Sequence, residues 1–370
     1  MTILHVAAPG AAGGLESVLL DLTGGLRRLG HRVVLVAVLD PGATESPVVT
    51  GAAALGVEVV SIVVPPRAYL REYQRLRKTI TAIQPDVIHT HGYRADLIAG
   101  RAARRAGVPW ITTAHGFVGG DRKNRLYEWL QLRSYRKADA AIAVSAPLRE
   151  RLVRAGVRPA RVHLLRNALT LRPRLSREAA RRLLGVTGEG PLLGWVGRLT
   201  HEKGADVFLA ALARCAHRQW TASVLGDGAD RAALESQAQS LDISSRIRWQ
   251  GVVPNAAALF PAFDAWVLSS RTEGTPIALL EAMAAGVPAV VTAVGGVPDV
   301  VSAREATLVA PDDAGALAQA VEAVLADPAG ARRRAEAARE RLRAEFDPDQ
   351  WLEAHVERYR ALLAPTPSEA

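Results

Sequence analysis

Short runs of near-continuous apolar residues alternate with stretches whose apolar positions recur every three or four residues. In the first half the runs fall at 3–8, 32–39, 57–64, 86–90, 109–114 and 139–144, with amphipathic stretches at 15–29, 68–83, 94–106 and 123–136. Strands apolar at nearly every position are buried on both faces. The pattern therefore predicts a parallel sheet covered by helices on both sides. Residues 169–190 interrupt it, an Arg- and Gly-rich stretch that reads as an interdomain linker with a short helix. The alternation then restarts. Strands are expected at 192–196, 221–225, 246–250, 264–268 and 288–292, and helices at 204–216, 229–240, 255–261, 276–285, 313–326, 329–345 and 348–363.

Two successive series of βα units predict an α/β chain of two Rossmann-like domains facing a cleft. The first covers 1–168 and the second 191–346. Residues 347–370 supply a C-terminal helix, expected to pack back toward the first domain, and a disordered tail, APTPSEA. Ligands of such sheets bind beyond the carboxyl ends of the strands, so the cleft is the expected site. A length of 370 residues agrees with two cores, since single cores stop growing at about 250–300 residues.

Composition adds exclusions. One cysteine, Cys215, rules out a disulfide framework and a cysteine zinc cluster. No run of 18 apolar residues suggests a membrane span, and the N-terminus lacks a charged leader region, which makes the cytoplasm the expected location. The net charge of +9 is uneven: residues 1–170 hold 24 Lys+Arg against 12 Asp+Glu. That excess points to an anionic partner for the first domain, such as a membrane surface or a phosphorylated acceptor. Only four of the 46 cations are Lys, so a base-composition bias toward Arg explains the excess equally well. The basic helix around 67–78 carries Tyr69, Leu70, Tyr73 and Leu76, which are expected to turn inward while its Arg residues face water.

Candidate chemistry sits in loops after strands. The loop Pro9–Gly14 has the wrong spacing for a dinucleotide fingerprint, and no P-loop motif occurs. Asp347-Pro348-Asp349 reads as a helix start rather than a metal site. In RTEGTPIALLEAMAAGVP, residues 271–288, Thr275 is expected as an N-cap and Pro276 as the first helical residue. The free N–H groups of Ile277 and Ala278 then form an anion site suited to phosphate. Glu273 stands before that site and Glu281 inside the helix among apolar neighbours. Each is placed to accept bonds from hydroxyls of one ligand, a layout that fits a nucleotide sugar. In Gly197-Arg198-Leu199-Thr200-His201-Glu202-Lys203, Arg198 follows a strand and Lys203 is expected to open the next helix, where an anion would explain its charge. Gly226-Asp227-Gly228 marks a tight turn, and His115 ends a strand of the first half.

Taken in order, these segments resemble the retaining glycosyltransferases of family four, which have the GT-B fold. The resemblance spans nearly the whole chain. It is carried by Gly197-Arg198 with Lys203-Gly204, Gly226-Asp227-Gly228, the pair Glu273 and Glu281, and Gly295-Gly296-Val297-Pro298. In the first half it rests on Gly13-Gly14-Leu15-Glu16, Gly30-His31-Arg32-Val33 and His115-Gly116. It implies that Arg198 and Lys203 bind the donor pyrophosphate, Glu281 the ribose, and Glu273 the transferred sugar. It also implies that Ile277 and Ala278 amides, Gly13-Gly14, Gly197 and Gly226 serve the donor, and that His115 meets the sugar. No cofactor or metal is implied. The implied partners are a nucleotide-sugar donor and a glycan or lipid-linked acceptor, with no nucleic acid, and the enzyme is expected in the cytoplasm or on the inner membrane face. Asn167-Ala168 departs from the family's Asn-Gly, and Gly274-Thr275-Pro276 is the form seen in polysaccharide-building members. The competing expectations are a nucleotide-sugar epimerase, a silent donor-binding module and a nucleic-acid binder.

Overall fold

The structure is a computed structural model, and it describes residues 1–10, 13–42, 46–117, 122–186, 188 and 190–364, with the side chains of 122 and 123 outside that set. The APTPSEA tail beyond 364 and Ala11-Ala12 of the Pro9–Gly14 loop lie outside the described residues. The chain divides into two compact units: Met1–Ala168 joined by the segment from Pro348, and Leu169–Asp347.

The first unit is built on seven strands: β1 (Thr2–Ala7), β2 (Arg32–Leu39), β3 (Glu58–Val63), β4 (Val87–His91), β5 (Trp110–Ala114), β6 (Ala140–Ala143) and β7 (Val162–Leu164). Their order in the sheet is β3-β2-β1-β4-β5-β6-β7, all parallel. The second unit carries β8 (Leu192–Val196), β9 (Thr221–Leu225), β10 (Ile247–Gly251), β11 (Ala265–Leu268), β12 (Ala289–Thr292) and β13 (Thr307–Val309) in the order β10-β9-β8-β11-β12-β13, also parallel. In both sheets the first strand lies inside, and the order reverses beside it: between β1 and β4, and between β8 and β11. Loops diverge at such a switch point and leave a crevice beyond the strand ends.

The apolar runs form these strands because both faces are covered. β2 is buried from Val33 to Leu39, and β4, β5, β6, β11 and β12 are buried throughout. One core gathers Leu4, Val36, Ile88 and Trp110; another gathers Leu193, Trp195, Phe208 and Val267. Among the described residues no helix is long and apolar enough to cross a membrane.

Several expectations are corrected. The 255–261 segment is a 3-10 helix, Ala256–Ala262, with Pro261 inside it, where a proline lacks the N–H an α-helix needs. The helix expected at 276–285 begins at Ile277: Pro276 holds φ −73° and ψ 110°, an extended cap, so Thr275 is not the N-cap. Lys203 does not open a helix. It closes the 3-10 turn His201–Lys203, Gly204 follows in a left-handed conformation, and the helix begins at Ala205. On the helix Tyr69–Ile83 Leu76 is buried, but Tyr69 and Leu70 face outward, Leu70 70% exposed. Neither Asn167 nor Ala168 takes a positive φ, so the turn before the linker stretch does not use the backbone that a glycine would allow there.

Candidate active site

In the second unit the loops after β8, β9, β11 and β12 converge at the switch point. Gly226 follows β9 with a φ of 132°, and a Cβ there would collide with the Gly197 carbonyl. Gly295 sits at φ 51°, where a Cβ would meet the Glu273 carbonyl. Both glycines are needed because backbone meets backbone with no room for a side chain. The loop holding Glu273 is thereby fixed against its neighbours.

Lys203 and Glu273 come together across 70 residues of sequence. The Lys203 ammonium donates to both carboxylate oxygens of Glu273, at 2.8 and 2.9 Å. The Glu273 side chain is only 6% exposed, while that of Lys203 is 22% exposed. Ser270 Oγ donates to the same carboxylate at 2.6 Å, and Thr292 Oγ1 pins the Ser270 carbonyl at 2.6 Å. Arg271 braces the loop from outside, donating to Asp206 at 2.7 and 2.9 Å and to Asp312 at 2.6 Å. Ser270 and Arg271 escaped the sequence reading. The signal was the polar run Ser269-Ser270-Arg271 at the end of a fully buried strand.

The helix Ile277–Ala285 starts three residues after Gly274. Leu279 and Leu280 N–H both bond the Pro276 carbonyl, while Ile277 and Ala278 N–H find no backbone partner among the described residues. The first N–H groups of a helix carry its positive end, so this is an anion-binding position. Glu281, partly exposed, lies one helical turn beyond Ile277 on the same face. Arg198 is exposed on the loop after β8 and bonds Glu202 at 3.2 Å. Each of the two cations is thus paired with an acid of its own unit, Lys203 closely and Arg198 loosely.

In the first unit, Gly13 and Gly14 follow β1, the helix begins at Gly14, and Glu16 folds back to accept from Gly10 N–H at 2.8 Å. His115 follows β5 and is partly buried. It does not stand alone: its Nε2 lies 3.1 Å from His91 Nδ1, and His91 Nε2 lies 3.0 Å from His5 Nδ1. The register pairs His5 with His89 and His91 with Thr113, which places these side chains on one face of β1, β4 and β5. The helix Pro348–Leu363 supplies His355 and Tyr359 to that face. Tyr359 Oη lies 2.8 Å from His89 Nδ1, and His89 Nε2 lies 2.7 Å from Thr113 Oγ1. Burial lowers the pKa of His5 to about 3 and those of His115 and His355 to about 4; it also holds His89 and His91 well below 6.5. Desolvation penalises the imidazolium, and neighbouring histidines add repulsion.

His5, His89 and His91 have ring nitrogens within 4.8 Å of one another, a spacing that suits a metal ion. Two of the three rings have no nitrogen to spare for a cation, since both nitrogens of His89 and both of His91 face hydrogen-bond partners. The donor set is a hydrogen-bonded layer and not a cation site. Sequence reading found His115 and missed the rest. The available signal was His89-Thr90-His91, with histidines two apart on a strand expected to be apolar.

Comparison with known proteins identifies the family and the fold. The family profile described as "Glycosyl transferases group 1" matches residues 176–341, and that described as "Glycosyltransferase Family 4" matches residues 12–172. The glycogen synthase of Mycobacterium tuberculosis is 33% identical over 303 residues, which cover 76% of this chain and 70% of that protein. The alpha-maltose-1-phosphate synthase of Mycolicibacterium smegmatis is 29% identical over 311 residues, 75% of this chain and 79% of that protein. Among solved structures, HepE of Anabaena in complex with UDP-glucose superposes with a TM-score of 0.87 at 22% identity, covering 98% of this chain and 100% of that one. The two-sheet architecture is the GT-B fold.

Proposed function

The chain belongs to glycosyltransferase family 4, and we propose that it moves a sugar from a nucleoside diphosphate to a hydroxyl of a glycan, lipid-linked or small-molecule acceptor, with retention and without a metal. The observation that carries this reading is the pairing of Lys203 with Glu273 at the switch point, four residues before a helix start at which Ile277 and Ala278 N–H have no backbone partner among the described residues. An ammonium has three N–H donors, so Lys203 holds Glu273 and still offers a hydrogen to a phosphate oxygen. Arg198, exposed on the same loop, supplies the second positive charge. Together they neutralise the departing diphosphate, the task a cation performs elsewhere. Glu273, fixed by Lys203 and Ser270, accepts from hydroxyls of the transferred sugar, and Glu281 from those of the ribose. Gly197 and Gly226 keep side chains away from the phosphates. The glycogen synthase relative and the UDP-glucose bound by HepE support a nucleotide-sugar donor.

Retention follows from attack on the face that the leaving group departs. The bond from the anomeric carbon to the phosphate oxygen breaks, the bond to the acceptor oxygen forms on the same side, and the acceptor proton passes to the departing phosphate. The protein then contributes positioning and charge stabilisation rather than a covalent nucleophile. Incubation with a panel of nucleotide sugars and saccharide acceptors, with the product anomer read by NMR and EDTA in parallel, tests it. The expected result is a product of the donor's anomeric configuration at a rate EDTA does not change. An inverted product, or loss of turnover in EDTA, contradicts the proposal; a donor epimerised without transfer favours the epimerase instead.

The acceptor side carries a second proposal, docking of the first unit on anionic lipid. Leu70 and, on the helix Arg122–Tyr135, Leu126 and Trp129 stand exposed, and the unit holds most of the basic excess. Exposed aromatic and aliphatic side chains beside Arg suit a headgroup boundary. Sedimentation with vesicles containing phosphatidylglycerol, but not with phosphatidylcholine alone, is the expected outcome. Equal recovery in both supernatants removes the idea.

A further inference from the structure

The chain His5–His91–His115 crosses β1, β4 and the end of β5 as a line of hydrogen-bonded imidazoles, and nothing in the family reading of His115 uses it. All three rings are neutral at pH 7, because burial holds their pKa values far below 6.5. A neutral imidazole carries one hydrogen, so each link needs a donor on one side and a bare nitrogen on the other. That leaves two arrangements of the whole line. In one, His5 Nδ1–H donates to His91 Nε2 and His91 Nδ1–H donates to His115 Nε2, so His115 carries its hydrogen on Nδ1. In the other every hydrogen is reversed, and His5 must carry one on Nε2.

The far end decides between them. His5 Nε2 is buried and has no hydrogen-bond partner among the described residues. An N–H there would be an orphan donor, the rarest kind of unsatisfied buried group. A bare nitrogen is the more tolerable occupant, so the first arrangement is favoured. Protonating His115 would place a hydrogen on Nε2 and force the whole line to reverse, which is a second reason for its neutrality.

We propose that His91, oriented by His5, is a positioning residue that holds His115 as an Nδ1–H donor, so that His115 gives a hydrogen bond to an oxygen of the transferred sugar. The sugar contact rests on the function proposed above; the tautomer does not.

Two-bond proton–nitrogen NMR of histidine-labelled protein reads the tautomer of each ring, with His115 assigned by the signals lost in His115→Ala. The wild type is expected to show His115 with its hydrogen on Nδ1. His91→Asn, whose amide nitrogen takes the place of Nδ1 and still donates, keeps that form. His91→Phe loses the donor, and His115 moves to the Nε2–H form that imidazole favours in water. A wild-type His115 in the Nε2–H form overturns the proposal without any variant, and an unchanged tautomer in His91→Phe overturns the role of His91. Calorimetry with UDP-glucose and UDP gives the second readout. The extra affinity for the sugar is expected in wild type and His91→Asn and falls in His91→Phe, while UDP affinity stays within twofold throughout. A wild type with no extra affinity for UDP-glucose overturns the sugar contact at His115, and the NMR result then stands or falls separately.

Discussion

At the scale of single residues, the chain spends polar groups where its patterning promises apolar ones. His355 is almost fully buried on the C-terminal helix, its Nδ1 donates to the Trp351 carbonyl at 2.9 Å, and burial lowers its pKa to about 4. A histidine with a folded pKa below its unfolded value of 6.5 binds fewer protons folded than unfolded between the two. Its contribution is therefore complete above pH 6.5 and lost as pH falls toward 4. The difference is on the order of 3 kcal/mol for this one group. Buried Asp96 and Glu72 have raised pKa values from desolvation and act in the opposite sense, so the comparison must be made between variants. Urea unfolding at pH 7 and pH 4.5 is expected to show wild type losing more stability on acidification than His355→Phe. Parallel losses would mean that the ring is not held neutral.

At the scale of elements, the helix Ile277–Ala285 is the part on which the anion site turns. Pro276 before it is already extended, the backbone a following proline requires. Ile277→Pro therefore suits the first helical position while removing an N–H that serves no backbone partner. Loss of one hydrogen bond to phosphate is expected to weaken diphosphate binding by about 1 kcal/mol, near fivefold, with the helix intact by circular dichroism. Undiminished affinity would show that the N–H is not used. This element was legible in the sequence, but its start was not: Thr275 has the preferred side chain for a cap, yet Pro276 takes the cap's backbone angles itself. β7 and β13 were missed because each is a three-residue edge strand, too short to carry a pattern. The central strands were found because burial on both faces leaves a continuous apolar run. Lys203 and Glu273, which the structure brings into contact, drew attention because polar residues stand out in loops after buried strands, and Glu281 because it is an acid inside an apolar helix. The line of His5, His91 and His115 was not, since only strand pairing brings residues so far apart in sequence into contact.

At the scale of the whole molecule, two doubly wound sheets divide the work suggested by their loops. One gathers cations, a helix start and two acids; the other gathers a neutral histidine layer in a basic unit. The central claim is that the second unit grips a diphosphate. Calorimetric titration of UDP, GDP and ADP against uridine, guanosine and adenosine tests it without presuming the base. At least one diphosphate is expected to bind about a hundredfold more tightly than its nucleoside, a gap of about 2.7 kcal/mol, and Lys203→Ala is expected to close most of that gap. If every diphosphate binds no better than its nucleoside, or if Lys203→Ala leaves the gap untouched, the claim is contradicted.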